Sequence, residues 1–488
     1  MGHVDLRELA FQMRSDDLRQ YGQDVLRRDP SRVAPAEVLD LMAYLIACDF
    51  IGAEAKINTI KYKFKGTKDE IYINEATSLA KAHIDFAFGR FKEMETSVNS
   101  FLTNHRTIPN LEEGEFLDVL RLKAQKEMIL EEWDTLRNTY AEMVNYNVPV
   151  QETNFLYLID SVQGMLLLAD GDYFKAVEIA KRNIEIAKQN SYIGLMAPLD
   201  SIYVLASSYY AMARSKESQA LYSELKELAK KLNMWPWYFI ADGFIAKEKA
   251  YILDMPGALA IIRDERNLLT EFNFSHELNF IPDINELYVR FLLSDWERVE
   301  VLVSRVPNLF FVQQISLFLE NQRGKDMLSR IEKLPDSTPR QRVYKLLALA
   351  GYYNDKETIA VDYMSQALQV VEDFGSVELI LKQHQLVDIV LKAIAKKPTI
   401  FLEEIATRLT DRVQWRNQSI SGGLPIPLTS RELEVVKHLA TGLTISAISN
   451  TLHVTMNTMK THLRNIYRKL EVDGRDSAVE KAKELFLI

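Results

Sequence analysis

Three cations recur at a spacing of four residues near the carboxyl end of the sequence: Lys460, Arg464 and Arg468. Residues four apart lie on one face of a helix, so these side chains would form a single positive stripe. The stretch from 435 to 470 contains no Asp or Glu, whereas the whole chain is acidic, with 59 Lys+Arg against 68 Asp+Glu. A local field of one sign in an acidic protein indicates a polyanionic partner.

The residues around these cations predict the elements that would position them. An apolar stripe runs along another side of the same helix at Met459, Leu463, Ile466 and Leu470. A preceding helix carries its apolar residues at Ile445, Ile448 and Leu452. Thr444 and Thr455 precede the two helices and can cap them by accepting hydrogen bonds from backbone amides. Two short helices joined by a tight turn, the second presenting cations, are typical of a helix-turn-helix whose second helix enters the major groove of DNA.

Three segments of this region resemble the LuxR-type DNA-binding domain: LTSRELEVVKHLATGLT, HVTMNTMKTHLRNIYRKLEV and GRDSAVEKAKELFLI. The resemblance covers nearly all of residues 428–488 and implies a small four-helix domain that binds operator DNA. It implies that Lys460, Thr461 and Arg464 face bases. It also implies that Thr444, Thr455, Thr458 and Arg468 lie near the phosphates. The predicted DNA-contact residues further include Ser446, Asn457 and Lys469. The last helix, from Asp476 to Leu485, would make the dimer contact.

The second helix of this domain departs from the family pattern at Ser446 and Ala447. Family members usually carry a Lys-Glu pair just before the isoleucine, which is Ile448 here. In the family the lysine often contacts the DNA backbone and the glutamate supports local packing. We therefore expect the DNA affinity or the local packing of this domain to differ from that of a typical member.

The larger, amino-terminal part of the sequence contains a weak repeat. Four copies place an apolar or small anchor residue three positions after an aromatic residue, and two further copies, at Ala220 and Ala258, lack the aromatic residue but keep the small one. The aromatic residues are Phe91, Trp133, Tyr173 and Trp296, and the anchors are Met94, Leu136, Ala176, Ala220, Ala258 and Val299. Successive anchors lie 42, 40, 44, 38 and 41 residues apart. A period near 40 built from helical patterns predicts helical hairpins stacked as a solenoid, with the aromatic residues filling the gaps between hairpins.

These hairpins resemble tetratricopeptide-like repeats, and in particular the solenoid of MalT-like regulators, over roughly residues 40–400. The register is predicted to begin near Ala55 and to reappear at Ala360 and Ala367. Between Val299 and Ala360 we expect shorter or irregular helices. MalT-like regulators usually carry an ATPase module as well, but no G-x-x-x-x-G-K-[ST] motif occurs here. The expected fold is all-α, a tetratricopeptide-like solenoid followed by a small four-helix domain, working without ATP.

Composition predicts the domain boundaries and the compartment. Residues 416–427, RNQSISGGLPIP, contain paired glycines and two prolines and predict a linker between a solenoid over 1–415 and a DNA-binding domain over 428–488. The single cysteine, Cys48, excludes a disulfide framework, is typical of a reducing compartment and fits a small core residue. No apolar run reaches the roughly 18–20 residues that cross a bilayer, so we expect a cytoplasmic bacterial protein without membrane contact.

A dense group of aromatic residues in the solenoid has two interpretations. Trp235, Trp237 and Tyr238 are close in sequence, and Tyr209 belongs to a neighbouring tyrosine pair. On an exposed concave face such rings would stack on a flat ligand, whereas between repeats they would form the core. They are our candidate effector site, with both interpretations open.

Two functions compete at this point. In the first, the solenoid senses a small molecule or a protein partner and controls operator binding by a homodimer, with RNA polymerase as a further partner. In the second, the solenoid is a protein–protein adaptor and the carboxyl-terminal domain is vestigial or a docking module. The intact cationic stripe favours the first, because an idle domain need not keep it. No nucleophile–base spacing, paired carboxylates or metal cluster indicates an enzyme, so we expect no catalytic residues, cofactor or metal.

Overall fold

The computed structural model describes residues 15–105, 113–145, 153–190, 197–251, 254–271, 276–292, 296–307, 309, 327–383, 386–420, 430–452, 454–470 and 472–484. Within these ranges every regular element is helical, and we number the α-helices in chain order. Helices α1 to α7 are Ser15–Arg28, Val33–Ile46, Phe50–Phe64, Glu70–Ala87, Phe91–His105, Glu113–Ile129 and Trp133–Asn145. Helices α8 to α15 are Thr153–Asp170, Tyr173–Gln189, Leu199–Ala211, Ser215–Lys231, Trp235–Tyr251, Met255–Glu271, Phe280–Leu292 and Trp296–Val303. Helices α16 to α21 are Met327–Glu332, Pro339–Tyr352, Glu357–Phe374, Val377–Leu381, Val387–Lys396 and Ile400–Ile420; α22 to α25 are Ser430–Ala440, Ile445–Thr451, Met456–Leu470 and Arg475–Glu484.

Consecutive helices of the large domain pack as hairpins. Helix α4 packs on α5, α6 on α7, α8 on α9, α10 on α11, α12 on α13 and α14 on α15. The first helices of successive hairpins also pack on one another, from α2 through α4, α6 and α8 to α10, and from α12 to α14. This arrangement is a stack of helical hairpins, which confirms the predicted all-α, tetratricopeptide-like solenoid.

The repeat has a more regular register than the sequence pattern indicated. In seven hairpins the fourth residue of the second helix is buried: Ala53, Met94, Leu136, Ala176, Ser218, Ala258 and Val299. Successive positions lie 41, 42, 40, 42, 40 and 41 residues apart. The predicted anchor Ala220 is exposed and lies two residues beyond the buried Ser218. The prediction of Ala220 is wrong because two residues turn a helix by about 200°, which places the side chain on the opposite face. The register begins at Ala53, close to the predicted start near Ala55.

The aromatic residues that precede the anchors occupy different environments. Phe91 and Tyr173 are buried, as predicted for side chains between hairpins. Trp133 is only half-buried and borders a cavity, so its predicted complete burial is wrong. The side chain of Trp296 lies outside the described residues. An aromatic residue at this position therefore does not always complete the core.

Contacts between distant hairpins show that the solenoid coils back on itself. Hydrogen bonds join residues 172 to 195 positions apart: Lys92 with Glu277, Asn233 with Cys48, Lys382 with Tyr210, and Arg408 with Ala213. With hairpins about 41 residues long, a separation of 185 corresponds to about four and a half hairpins in each superhelical turn. Successive turns touch and enclose the space between them.

The irregular stretch and the linker were partly predicted. Helix α15 has 8 residues and α16 has 6, but α17 has 14, so the shorter helices predicted between Val299 and Ala360 are found only in part. Residues 310–326 lie outside the described part. Helix α21 continues to Ile420, so the first five residues of the predicted linker are helical. No glycine or proline interrupts this helix before Gly422, and residues 421–429 are not among those described.

The aromatic residues proposed as an effector site belong to the core. Trp235, Trp237, Tyr238 and Tyr209 are respectively 8%, 1%, 6% and 6% exposed. The rings of Trp235 and Tyr238 contact each other edge to face, with centroids 5.5 Å apart. Burial leaves these four rings no free face for stacking on a ligand. The prediction of an effector site at these residues is therefore wrong, and their role is packing between hairpins.

Two further expectations from composition concern Cys48 and the membrane. Cys48 is 2% exposed, and burial raises the pKa of its thiol to about 12. It is therefore an unreactive core residue, as predicted. Among the described helices, none combines the length and the apolar composition needed to cross a bilayer.

A buried ion-pair network ties three hairpins of the solenoid together. Arg121 on α6 is 3% exposed, and its Nε donates to the Asp200 carboxylate of α10 at 2.7 Å. Ser161 of α8 and Gln125 of α6 donate to the same carboxylate. Burial opposes the charge of Asp200, but the Arg121 charge and these hydrogen bonds outweigh it and lower the pKa of the carboxyl. The network fixes α6, α8 and α10 relative to one another.

Glu127 of α6 should make the stability of the solenoid depend on pH. Burial raises the pKa of its carboxyl to about 7, and a hydrogen bond from Thr139 with the Lys123 charge only partly opposes this. Because the folded-state pKa lies above the unfolded one, the protonated form stabilises the fold, and that stability is lost as the pH rises from about 4.5 to 7. The free energy of unfolding of Glu127→Gln should therefore increase relative to that of the wild type as the pH rises. This difference between the two proteins should be about 2–3 kcal/mol larger at pH 8 than at pH 5. Urea unfolding at both pH values measures this.

The exposed Glu93→Gln serves as the control for that measurement. Its stability should follow that of the wild type at both pH values. If Glu127→Gln also follows the wild type across this range, the buried carboxyl is not the titrating group.

Candidate nucleic-acid interface

Helices α22 to α25 form a separate small core. The fully or largely buried residues are Val435, Val436, Leu439, Ile448, Leu452, Met459, Ile466, Leu470, Ala478 and Ala482. Helix α22 ends before Gly442, whose φ of +78° is a left-handed conformation that favours glycine. The side chains of Leu433 and of residues beyond 484 lie outside the described part. The predicted four-helix domain is confirmed.

Hydrogen bonds at two threonines begin the helices of the helix-turn-helix. The Thr444 hydroxyl accepts from the backbone N–H of Ala447 at 3.2 Å, which caps α23. The Thr455 hydroxyl accepts from the N–H of Thr458 at 3.2 Å and also lies 2.8 Å from the Thr458 hydroxyl, which caps α24. Both caps were predicted. They satisfy amides that have no partner within their helix.

Ser449, which sequence reasoning missed, holds the turn between these helices. Its side chain is 2% exposed, and its hydroxyl donates to the carbonyl of Val454 at 2.6 Å. The N–H of Val454 donates back to the Ser449 carbonyl at 3.0 Å. This reciprocal pair fixes the angle between α23 and α24.

The cationic stripe lies on the exposed side of α24. Lys460, Arg464 and Arg468 are exposed, while Met459 and Ile466 on the other side are fully buried. Among the described residues these three cations form no ion pair and no hydrogen bond within the protein. Their charge is therefore available to a partner in solution. This is the geometry that the helix-turn-helix prediction required.

The other predicted contact residues divide into those at the surface and one inside the domain. The exposed ones are Thr444, Ser446, Thr455, Thr458 and Thr461. The side chain of Asn457 lies outside the described part. Lys469 is 8% exposed, and its ammonium donates to the Glu432 carboxylate of α22 at 2.6 Å. Its predicted contact with DNA is therefore wrong, because this buried pair holds α24 against α22.

The position of Lys469 carried a signal that the prediction did not use. It lies three residues after the buried Ile466, on the apolar side of α24 and away from the stripe. Arg475 was also missed: its guanidinium donates twice to the carbonyl of Leu439, at 2.6 and 3.2 Å. That contact joins the start of α25 to the end of α22. Both cations support the domain from within.

Comparison with known proteins gives one family for this region. Residues 426–482 match the family of bacterial regulatory proteins named luxR. The response regulator protein VraR of Staphylococcus aureus strain Mu3 is 30% identical over 168 residues, which is 34% of this chain and 70% of VraR. VraR of strain NCTC 8325 is 29% identical over the same length.

A crystal structure of a Rap protein complexed with competence and sporulation factor aligns with 78% of this chain and 98% of its own. The TM-score is 0.41 and the sequence identity is 12%. At that score the likeness identifies neither a shared function nor a shared ligand. The matched helix-turn-helix segment and the VraR similarity carry the assignment: this chain belongs to the luxR family of bacterial regulatory proteins.

Proposed function

We propose that this regulator of transcription binds operator DNA with α24 in the major groove and that its solenoid controls this binding. The observation that carries the proposal is the exposed stripe of Lys460, Arg464 and Arg468 on the second helix of the helix-turn-helix. Major-groove edges of guanine accept hydrogen bonds from Lys and Arg. Because these cations have no acidic partners among the described residues, no such ion pair has to break when they approach the phosphates.

Different residues serve different parts of the proposed complex. Lys460, Thr461 and Arg464 face base edges, where they select the sequence. The exposed hydroxyls of Thr444, Ser446, Thr455 and Thr458, together with Arg468, lie near phosphates. Phosphate contacts fix the register of the protein on the duplex but carry no sequence information. Ser446 stands where the resemblance to the family implies a lysine, so we propose that this domain makes one charged contact fewer.

The proposed assembly on DNA is a homodimer formed through α25. One domain of this size makes few phosphate contacts, so a monomer would bind weakly and with a strong dependence on salt. On α25, Ala478 and Ala482 pack into the domain core, and Asp476, Ser477 and Glu480 are exposed. Pairing two such helices about a two-fold axis requires operator half-sites about one helical turn apart.

Arg468→Ala tests the phosphate role separately from sequence selection. Loss of this charge should weaken binding to every DNA sequence by a similar factor and reduce the slope of log K against log salt concentration by about 1. The measurement is fluorescence anisotropy of a labelled operator and of a scrambled duplex, each titrated with the full chain at several salt concentrations.

The matched control is Lys61→Ala, which removes one exposed charge from α3 of the solenoid. That variant should bind like the wild type on both duplexes. An unchanged salt slope in Arg468→Ala would place this side chain off the DNA and leave the adaptor function as the better description of the chain.

A further inference from the structure

The coiled solenoid encloses a cavity of about 270 Å³ that is distinct from the DNA-binding domain. It lies between distant hairpins, since its walls come from α6 to α10, α12, α14, α17 and α19. Much of the lining is apolar or aromatic, including Met165, Tyr203, Ile240, Phe244 and Ile284. Its volume lies just below the roughly 300–1,000 Å³ of small-molecule sites, and its lining resembles that of such sites.

Two lysines that are 135 positions apart in the sequence face this cavity from separate hairpins. The Lys247 ammonium of α12 lies 5.5 Å from the centre of the Tyr288 ring, and the Lys382 ammonium lies 5.6 Å from the same ring. Lys382 also donates to the Tyr210 hydroxyl at 2.8 Å. The ring of Tyr288 therefore brings two positive charges of separate hairpins into one part of the cavity.

Lys247 has no acid as an immediate partner. Among the described residues, its ammonium makes cation–π contacts with the rings of Phe244, at 4.6 Å, and Tyr288. Lys382 lies 3.9 Å from the Glu378 carboxylate, an acid of the cavity lining. That carboxylate is bound more closely by Arg412, at 3.0 Å. This end of the cavity therefore holds more positive charge than its acids balance.

The pKa of the Lys247 amine agrees with such a surplus. Removal from bulk water lowers this pKa to about 8, the Lys382 charge lowers it in the same direction, and Glu265 and Glu131 oppose the shift by less. The amine is therefore mainly protonated at pH 7. A like-charged pair inside an apolar cavity is costly until an anion lies between the two charges.

We propose that this cavity binds an organic anion, with its carboxylate or phosphate group between Lys247 and Lys382 and its apolar body against Phe244 and Tyr203. The ligand would bridge two distant hairpins of the solenoid, and its occupancy would shift the arrangement that the solenoid adopts. The assignment rests on the proposed role of the solenoid as the part that receives a signal.

The test uses two fluorescent probes with the same type of apolar body. The first, 8-anilinonaphthalene-1-sulfonate, carries an anionic group, and the second, N-phenyl-1-naphthylamine, carries none. The full chain at pH 7 should bind the anionic probe, and Lys247→Met should weaken that binding at least about tenfold, a loss of roughly 1.4 kcal/mol. Lys247→Arg should retain it. Binding of the neutral probe should stay within about twofold of the wild type in all variants, because the apolar cavity is unchanged.

Lys230→Met, which removes an exposed charge from α11, is the matched control and should bind both probes like the wild type. Competition by phenylacetate and by phenyl phosphate then distinguishes the two headgroups, and the stronger competitor identifies the one that the site prefers. Equal binding of the anionic probe by Lys247→Met and the wild type would overturn the proposal. A parallel loss of both probes in Lys247→Met, or no displacement by either competitor, would overturn it as well. The assay contains no DNA, so its failure would leave the DNA-binding proposal untouched.

Discussion

Replacing both Lys460 and Arg464 by alanine should abolish selective binding to the operator. Each side chain is exposed on the same face of α24 and has no acidic partner among the described residues. A cation that donates to a base edge contributes about 1–3 kcal/mol of discrimination, so the pair should contribute roughly 2–6 kcal/mol. That loss would bring the operator affinity close to the affinity for unrelated DNA.

The measurement is a titration of the operator and of a scrambled duplex with the full-length double variant at one fixed salt concentration. The matched control is Lys61→Ala with Lys230→Ala, which removes two exposed charges from the solenoid. Circular dichroism should show that both double variants keep the helical fold, because neither removes a buried contact. A double variant of α24 that still prefers the operator over the scrambled duplex would show that other residues read the sequence.

Arg121→Ala should produce the largest loss of stability in the solenoid. The substitution leaves the fully buried Asp200 carboxylate with Ser161 and Gln125 as neutral donors and no balancing charge. Removal of one partner from a buried ion pair typically costs about 3–5 kcal/mol, because the remaining charge stays away from water. We expect that loss in the free energy of unfolding by urea, followed by circular dichroism.

Lys392→Ala is the control for this effect. Its ammonium lies 2.6 Å from Glu357, at about the distance found in the buried pair, but the two side chains are 51% and 61% exposed. An exposed pair of this kind contributes at most about 1 kcal/mol. The double variant Arg121→Met, Asp200→Leu should recover part of the lost stability, because it removes both charges together. An Arg121→Ala variant no less stable than Lys392→Ala would contradict the role given to the network.

Local periodicity was enough to predict the elements of the DNA-binding domain. The spacing of Met459, Ile466 and Leu470 identifies the buried side of α24, and threonines before apolar patterns identify the helix starts. These features depend on residues that are close together in the sequence, so a single sequence is enough to recognise them. Lys469 was misplaced because its charge received more weight than its position on the helix.

The solenoid was predictable as an architecture but less so in its register. Small and apolar residues are common in helices, so Ala220 matched the pattern as well as the buried Ser218 two positions before it. The burial of Trp237 depends on Tyr203, whose ring centre lies 5.4 Å away in another hairpin. Such pairings depend on how hairpins stack, which no short segment of the sequence contains.

The superhelical coiling was not predictable at all. It brings Lys382 against Tyr210, 172 positions away, and forms the cavity that contains Lys247. Neither lysine belongs to a motif, and each looks like an ordinary surface cation in its own helix. Only the rotation accumulated over several hairpins places them together.

A genome-wide map of the DNA that the full-length protein binds in cells tests operator binding through α24 most directly. The map should be made for the wild type and for the variant with Lys460→Ala and Arg464→Ala, at equal protein levels. The wild type should occupy a discrete set of sites that share an inverted repeat, with half-sites about one helical turn apart, and the variant should occupy none of them. The same set of sites in both maps would contradict operator binding through α24.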